Sequence, residues 1–286
     1  MSRIEKALEK AVEIRKSVKE VSVGTVTRDQ PVSFKGFQVS EAAVNTDMVD
    51  KHIVCITDSH SAAAEQYKKL RAKILKATTK NFQNTIMITS ADMGEGKTVT
   101  AINLAVALAN EIDHSVLLID ADLKRPSVHK YLGLENIYGL SDYLMGRASL
   151  PDLLIKTGIG KLVLLPAGSS PENPSELLSS DNMRGLVHDM KHRYKDRYII
   201  FDSPPILVTS DSLSLSSYVD GVVLVIQAAR TTHKAATSAL SQLNGSNILG
   251  VVFNNVPSYQ AKNLYPYYYL YGNEGYYQKS KNIQQK

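Results

Sequence analysis

The chain has 286 residues, 43% of them hydrophobic and 21% charged. That is room for one α/β domain with appendages, and enough apolar material for a real core. The net charge of +5 comes from scattered lysines with no basic stripe, which argues against a nucleic-acid partner. The single cysteine, Cys55, excludes a disulfide framework or a thiolate metal site and suits a reducing compartment. No run approaches ~18 apolar residues and the N-terminus lacks an apolar signal, so no membrane-crossing segment is expected.

Residues 2–19 read as a short amphipathic helix opened by a Ser2/Glu5 capping box, with Ile4, Leu8, Ala11 and Val12 at helical spacing. Packing on its own domain and docking to a partner are equally good readings of it. Residues 20–50 are polar, without sustained periodicity, and read as a linker. A second helix over 61–77 places Glu65, Lys68 and Arg71 three apart on one face.

From Thr85 the pattern changes to short, continuously apolar runs separated by helical segments. Strands are expected at 85–90, 115–120, 161–166, 197–202, 221–227 and 248–254. Helices are expected near 97–110, 140–146, 174–194, 209–218 and 233–244. Strands apolar throughout, alternating with helices, predict an α/β fold whose mostly parallel sheet is covered by helices on both faces. Three regions result: 1–50 as helix and linker, 51–258 as the folded domain, and 259–286 as a tyrosine-rich tail.

The first strand runs into Ala91-Asp92-Met93-Gly94-Glu95-Gly96-Lys97-Thr98, and a helix follows. This is the strand, loop and helix context of a P-loop, so the fold is that of a P-loop NTPase. Gly94 and Gly96 allow a tight turn and a close backbone approach to an anion. N–H groups of the loop and of the helix N-terminus, over Gly94, Glu95, Gly96, Lys97, Thr98 and Val99, are candidates to cradle the phosphates of ATP. Lys97 supplies charge at the β/γ-phosphates and Thr98 a hydroxyl for Mg²⁺. Ala91 stands where the general pattern has glycine.

Two further strands end in carboxylates, in Leu117-Leu118-Ile119-Asp120-Ala121-Asp122 and in Ile199-Ile200-Phe201-Asp202-Ser203-Pro204-Pro205. Ligands of parallel sheets bind beyond the carboxyl ends of strands, so Asp120, Asp122 and Asp202 are expected to meet the γ-phosphate. Asp122 and Asp202 are the candidate Mg²⁺ partners, and all three with Lys97 are candidate catalytic groups. Their individual roles are left open by the sequence. Eight of the fifteen tyrosines fall between residues 259 and 277: Tyr259, Tyr265, Tyr267, Tyr268, Tyr269, Tyr271, Tyr276 and Tyr277. They read either as phosphoryl acceptors or as an aromatic patch for self-association. The ATP site favours the first.

Together SADMGEGKT, LLIDADLKRP, IIFDSPP and the tail YPYYYLYGNEGYY resemble the bacterial protein-tyrosine autokinases of capsule and exopolysaccharide synthesis, over about residues 60–277. Two positions depart from that family's pattern: Lys68 replaces the first arginine of its E-x-x-R-x-x-R oligomerisation motif, and Lys124-Arg125 stands where arginine often comes first. The resemblance implies an ATP- and Mg²⁺-dependent kinase that phosphorylates its own tail tyrosines. It also implies a homo-oligomer joined through Glu65, Lys68 and Arg71, a cognate tyrosine phosphatase, and a separate inner-membrane chain-length determinant that activates a cytoplasmic kinase. The alternatives are a positioning ATPase similar to MinD and ParA, and a catalytically poor scaffold of a polysaccharide exporter. The former class carries an extra loop lysine where this chain has Asp92.

Overall fold

The computed structural model describes residues 44–193 and 196–257. The expected N-terminal helix and the tail tyrosines lie outside the described residues.

Among the described residues seven strands form one sheet: β1 (Thr85–Ser90), β2 (Ser115–Asp120), β3 (Ile155–Lys156), β4 (Leu162–Leu165), β5 (Arg197–Asp202), β6 (Gly221–Gln227) and β7 (Ile248–Asn254). Their order is β3-β4-β2-β5-β1-β6-β7. Every pairing is parallel except β3 with β4. The six expected strands are all present. β3 was not expected, because two residues carry no periodicity; its antiparallel register, Ile155 opposite Leu164, comes from tertiary pairing.

Within the strands, neighbouring apolar residues serve opposite faces. Met87, Leu117, Ile119, Ile199, Phe201, Val222 and Leu224 pack with Met183 and Leu186 of the helix Asp181–Arg193. Ile86, Ile88, Val116, Leu118, Ile200, Val223 and Val225 pack with Ile102, Leu104 and Leu108 of the helix Lys97–Ala109. The uninterrupted apolar runs therefore arise because both faces are buried. Truncating such a residue, as in Ile88→Ala, costs about 2–5 kcal/mol.

Three local expectations need correction. The helix expected over 174–194 is two, Pro174–Leu178 and Asp181–Arg193, broken at Ser179-Ser180. Ser180 Oγ accepts the Met183 N–H at 3.2 Å, the local side-chain bond by which a serine opens a new helix. The sequence placed residues 44–50 in a linker, yet Val44 and Val49 are buried in the core and Val44 N–H donates to Thr157 O at 2.8 Å. Finally, short helices at Val54–Thr57, Val128–Tyr131 and Leu150–Leu153 were not foreseen. Single turns are too brief to show a helical period.

The helix Ala62–Thr78 is opened by Ser61, whose Oγ accepts the Ala64 N–H at 3.1 Å. Glu65 and Lys68 pair with each other at 3.1 Å on its surface. Arg71 turns inward, bonding Ala107 O at 3.1 Å and Glu111 at 2.7 Å. All three motif residues thus have partners within the subunit, Arg71 on a different element from its own. Cys55 is partly buried against the same core, and burial pushes its thiol up to about 11, as suits an inert packing residue.

Candidate active site

The sheet order decides which strand ends meet. β5 lies between β2 and β1, so the loop after β1 and the carboxylates ending β2 and β5 come from three adjacent strands. Asp120 and Asp202 are directly opposite in the β2–β5 register. This is the convergence expected of Lys97, Thr98, Asp120, Asp122 and Asp202, and all five are buried.

Lys97 begins the helix Lys97–Ala109, with Gly96 as its N-cap at φ 91°. Gly94, at φ 75°, is also left-handed, so both positions favour glycine. Space demands it as well: a Cβ on Gly96 would meet Asn254 Nδ2 at 2.0 Å, and one on Gly94 would meet Arg230 Nη1 at 2.8 Å. Ala91 has no positive φ, so the backbone there does not require glycine, and its methyl group is buried in the core.

The Lys97 ammonium donates to Asp122 Oδ2 at 2.8 Å and lies 3.5 Å from Asp202 Oδ1. Thr98 Oγ1 donates to Asp202 Oδ2 at 2.7 Å. Burial alone would pull the Lys97 pKa down, but Asp202 and Asp122 outweigh it and hold it above the ordinary lysine value. Burial raises Asp202 above the usual carboxylate range, against the opposing pull of Lys97 and Thr98. Asp120 is pushed up to about 7, by burial first and by the Asp202 charge second.

Asp120 differs from the other two carboxylates in its bonding. Its Oδ2 accepts the N–H groups of Ser127 and Val128, both at 3.0 Å, and Oδ1 accepts that of Asp122 at 3.2 Å. It caps the turn Val128–Tyr131 and shapes the loop carrying Asp122. Asp122 Oδ1 accepts the Arg125 N–H at 3.1 Å, leaving Oδ2 to Lys97.

The phosphate loop is also held from outside by residues that sequence reasoning missed. Arg230 donates to Met93 O at 2.9 Å and to Gly94 O at 3.1 Å. Asn254 Nδ2 donates to Glu95 O at 3.0 Å. The Glu95 side chain folds back on the loop, accepting Asp92 N–H at 3.0 Å and the Thr231 hydroxyl. The N–H groups of Asp92 and Met93 are taken by the Glu95 and Asp92 carboxylates, and those from Gly94 to Thr98 are the ones left for a ligand among the described residues. Asn254 ends β7 and Arg230 follows the end of β6. The strand-end rule that singled out Asp120 and Asp202 reaches these residues too, had it been applied to amides and arginine.

Between the second-motif cations, the structure shows different engagements. Lys124 pairs with the buried Asp211 at 3.1 Å and with Ser175 Oγ at 3.1 Å. Arg125 Nη1 reaches Met93 Sδ at 3.1 Å, over the phosphate loop. The partly buried Val99 side chain packs against the core.

Residues 86–271 match the family described as the CobQ/CobB/MinD/ParA nucleotide-binding domain. The chain is 38% identical to the tyrosine-protein kinase YwqD of Bacillus subtilis over 208 residues, 72% of this chain and 86% of that one. It resembles the solved kinase domain of the Escherichia coli tyrosine kinase ETK with a TM-score of 0.67 and 33% identity, covering 71% of this chain and 80% of that one. The crystal structure of the chimerical protein CapA2B2 is similar at a TM-score of 0.68 and 28% identity, over 78% of this chain and 96% of that chain. With a nucleotide-binding loop, converging carboxylates and these relatives, the chain belongs to the bacterial protein-tyrosine kinases, built on the P-loop fold of the MinD and ParA proteins.

Proposed function

We propose that this kinase uses ATP with Mg²⁺ to phosphorylate tyrosines of its own C-terminal cluster, and that this modification regulates polymerisation and export of a capsule or exopolysaccharide. The observation that carries the reading is the meeting of Lys97, Thr98, Asp122 and Asp202 at the ends of three adjacent strands.

The residues present suit Mg²⁺. Among the described residues no group of three His, Cys, Asp or Glu forms a metal cage by itself. A hard ion bound through one or two carboxylates and substrate phosphates needs no such cage. The Thr98 hydroxyl and the Asp202 and Asp122 carboxylates are the oxygen donors that would hold it. When bound, the ion neutralises charge on the β- and γ-phosphates.

The chain's own groups perform the remaining work. Loop N–H groups, fixed by Arg230 and Asn254, hold the phosphates in register, and Lys97 meets the charge that gathers on the γ-phosphoryl oxygens. A tail tyrosine oxygen forms a bond to the γ-phosphorus while the bridging bond to ADP breaks. Its proton passes to Asp122 or Asp120. Both Asp120 oxygens already accept backbone N–H groups, which suits it to shaping the loop that carries Asp122.

The assembly extends this reading. A homo-oligomer presents one subunit's tail to a neighbour's site, with Glu65, Lys68 and Arg71 on the joining face. A membrane chain-length determinant activates the kinase, and a tyrosine phosphatase reverses it. Among the described residues no helix is long and apolar enough to cross a membrane; the partner would bring the kinase to the inner membrane. Incubation with γ-labelled ATP tests the reading: label on the protein supports it, and label released only as free phosphate points to a positioning ATPase.

A further inference from the structure

Beside the carboxylates lies a second concave surface, of about 560 Å³, lined by Lys124, Arg125, Ser127, His129, Lys130 and Asn136. Its volume is in the range of small-ligand sites. Its lining is cationic, and neither Arg125 nor Lys130 has a carboxylate partner among the described residues. Both are exposed, while Lys124 is partly neutralised by Asp211. The His129 ring Nδ1 is buried with no hydrogen-bond partner among the described residues.

The groove is joined to the reaction centre through its own backbone. Ser127 N–H holds Asp120 at 3.0 Å, Arg125 N–H holds Asp122 at 3.1 Å, and Ser127 Oγ is 3.4 Å from Thr98 Oγ1. An anion placed there would sit next to the transferred phosphoryl group without entering the carboxylate cluster, which would repel it.

The tail supplies a matching anion only after reaction. Residues 258–286 carry Lys262, Lys279, Lys281 and Lys286 against Glu274. Unmodified, that segment has the groove's own sign. Each phosphotyrosine adds about −1.5 to −2 charges and three strong acceptor oxygens, which arginine and lysine recognise well.

We infer that this basic groove is a phosphotyrosine site, which retains an already modified tail tyrosine while a neighbouring tyrosine enters the active site. Phosphorylation then proceeds by successive modification of one engaged tail. The inference rests on the tail being the substrate, and it assigns that site a memory of its product.

The test uses the full chain, treated with phosphatase and kept without ATP. It is titrated with a labelled synthetic peptide of residues 262–274 bearing phosphate on Tyr268, and with the same peptide unmodified. The phosphopeptide is expected to bind roughly tenfold more tightly or better. The double variant Arg125→Gln/Lys130→Gln is expected to lose that preference with an unchanged melting temperature, and Lys130→Gln alone to lose part of it. Lys234→Gln, elsewhere on the surface, is expected to keep it. Equal affinity for the two peptides, or a preference that survives in the double variant, overturns the inference. So does indifference to the phosphopeptide with groove-dependent sedimentation on phosphatidylglycerol vesicles, which would make the surface a membrane contact. Because the peptide is made synthetically, its failure to bind is separate from failure of the protein to take up phosphate from ATP.

Discussion

Lys97 Nζ lies 2.8 Å from Asp122 Oδ2, so the cation of the phosphate loop and a carboxylate of the second motif form one buried pair. Asp202 stands on its other side at 3.5 Å. The lysine has two tasks in this arrangement: it balances two buried carboxylates, and it is the charge that a γ-phosphoryl group would meet.

Lys97→Met should therefore act twice. Tyrosine phosphorylation is expected to fall by on the order of 10²–10³-fold, since a positioned charge at the transferred group is lost. Stability should fall as well, and more at pH 8 than at pH 5. Without the ammonium less opposes the burial that already raises Asp202, so that carboxylate holds its proton more tightly in the folded protein than in the unfolded chain, and folding weakens as pH rises. Urea midpoints at the two pH values check this. A pH-independent loss would contradict the pairing, and wild-type phosphotyrosine would contradict the site.

Asp120 gives a separate pH signature. Its folded pKa of about 7 stands above the ordinary 3.8. Between those values the folded protein keeps a proton that the unfolded chain has released, so its contribution to stability declines as pH rises from about 4 to 7 and is flat above. Asp120→Asn removes that slope. The stability difference between nucleotide-free wild type and variant should change across the window by on the order of a few kcal/mol. A constant difference would mean that the carboxylate titrates normally.

The grip on the loop is tested by Arg230→Ala and Asn254→Ala. Each removes side-chain donors to loop carbonyls. Losing about 1–1.5 kcal/mol of loop restraint corresponds to a roughly tenfold rise in the Kd for ATP. Titration calorimetry reads it, and an unchanged Kd in both variants would show that the loop holds its shape unaided.

Glu65→Lys addresses the proposed assembly face. It breaks the surface pair with Lys68 and places two cations together on the helix Ala62–Thr78. The oligomer mass in light scattering is expected to drop, while the melting temperature changes little because the pair is half-exposed. An intact oligomer would place the interface elsewhere.

Much of this architecture was legible because its physics is local or periodic. The strands carrying Ile88, Leu118 and Ile200 are apolar on both faces, and the loop motif announces itself through Gly94, Gly96, Lys97 and Thr98. Strand order was not legible: nothing in the sequence says that β5 falls between β1 and β2, although that placement brings Asp202 to Thr98. Nor were the contacts of Arg230 and Asn254 with the loop, separated from it by 136 and 159 residues in the chain. Arg71 shows the converse. Its spacing from Glu65 and Lys68 marked one helix face, but a helix face does not reveal that Glu111 of the same subunit takes its guanidinium.

The tail tyrosines are the proposed acceptors of the phosphoryl group. Purified protein, incubated with ATP and Mg²⁺, is digested and its phosphates mapped by mass spectrometry, beside Lys97→Met and a variant with Tyr259, Tyr265, Tyr267, Tyr268, Tyr269, Tyr271, Tyr276 and Tyr277 changed to Phe. Phosphate is expected to concentrate on those tyrosines in wild type and to be almost absent from either variant, while the phenylalanine variant binds ATP normally. Phosphate absent from the tail of wild type while ATP is turned over, or undiminished phosphate in the phenylalanine variant, would contradict it.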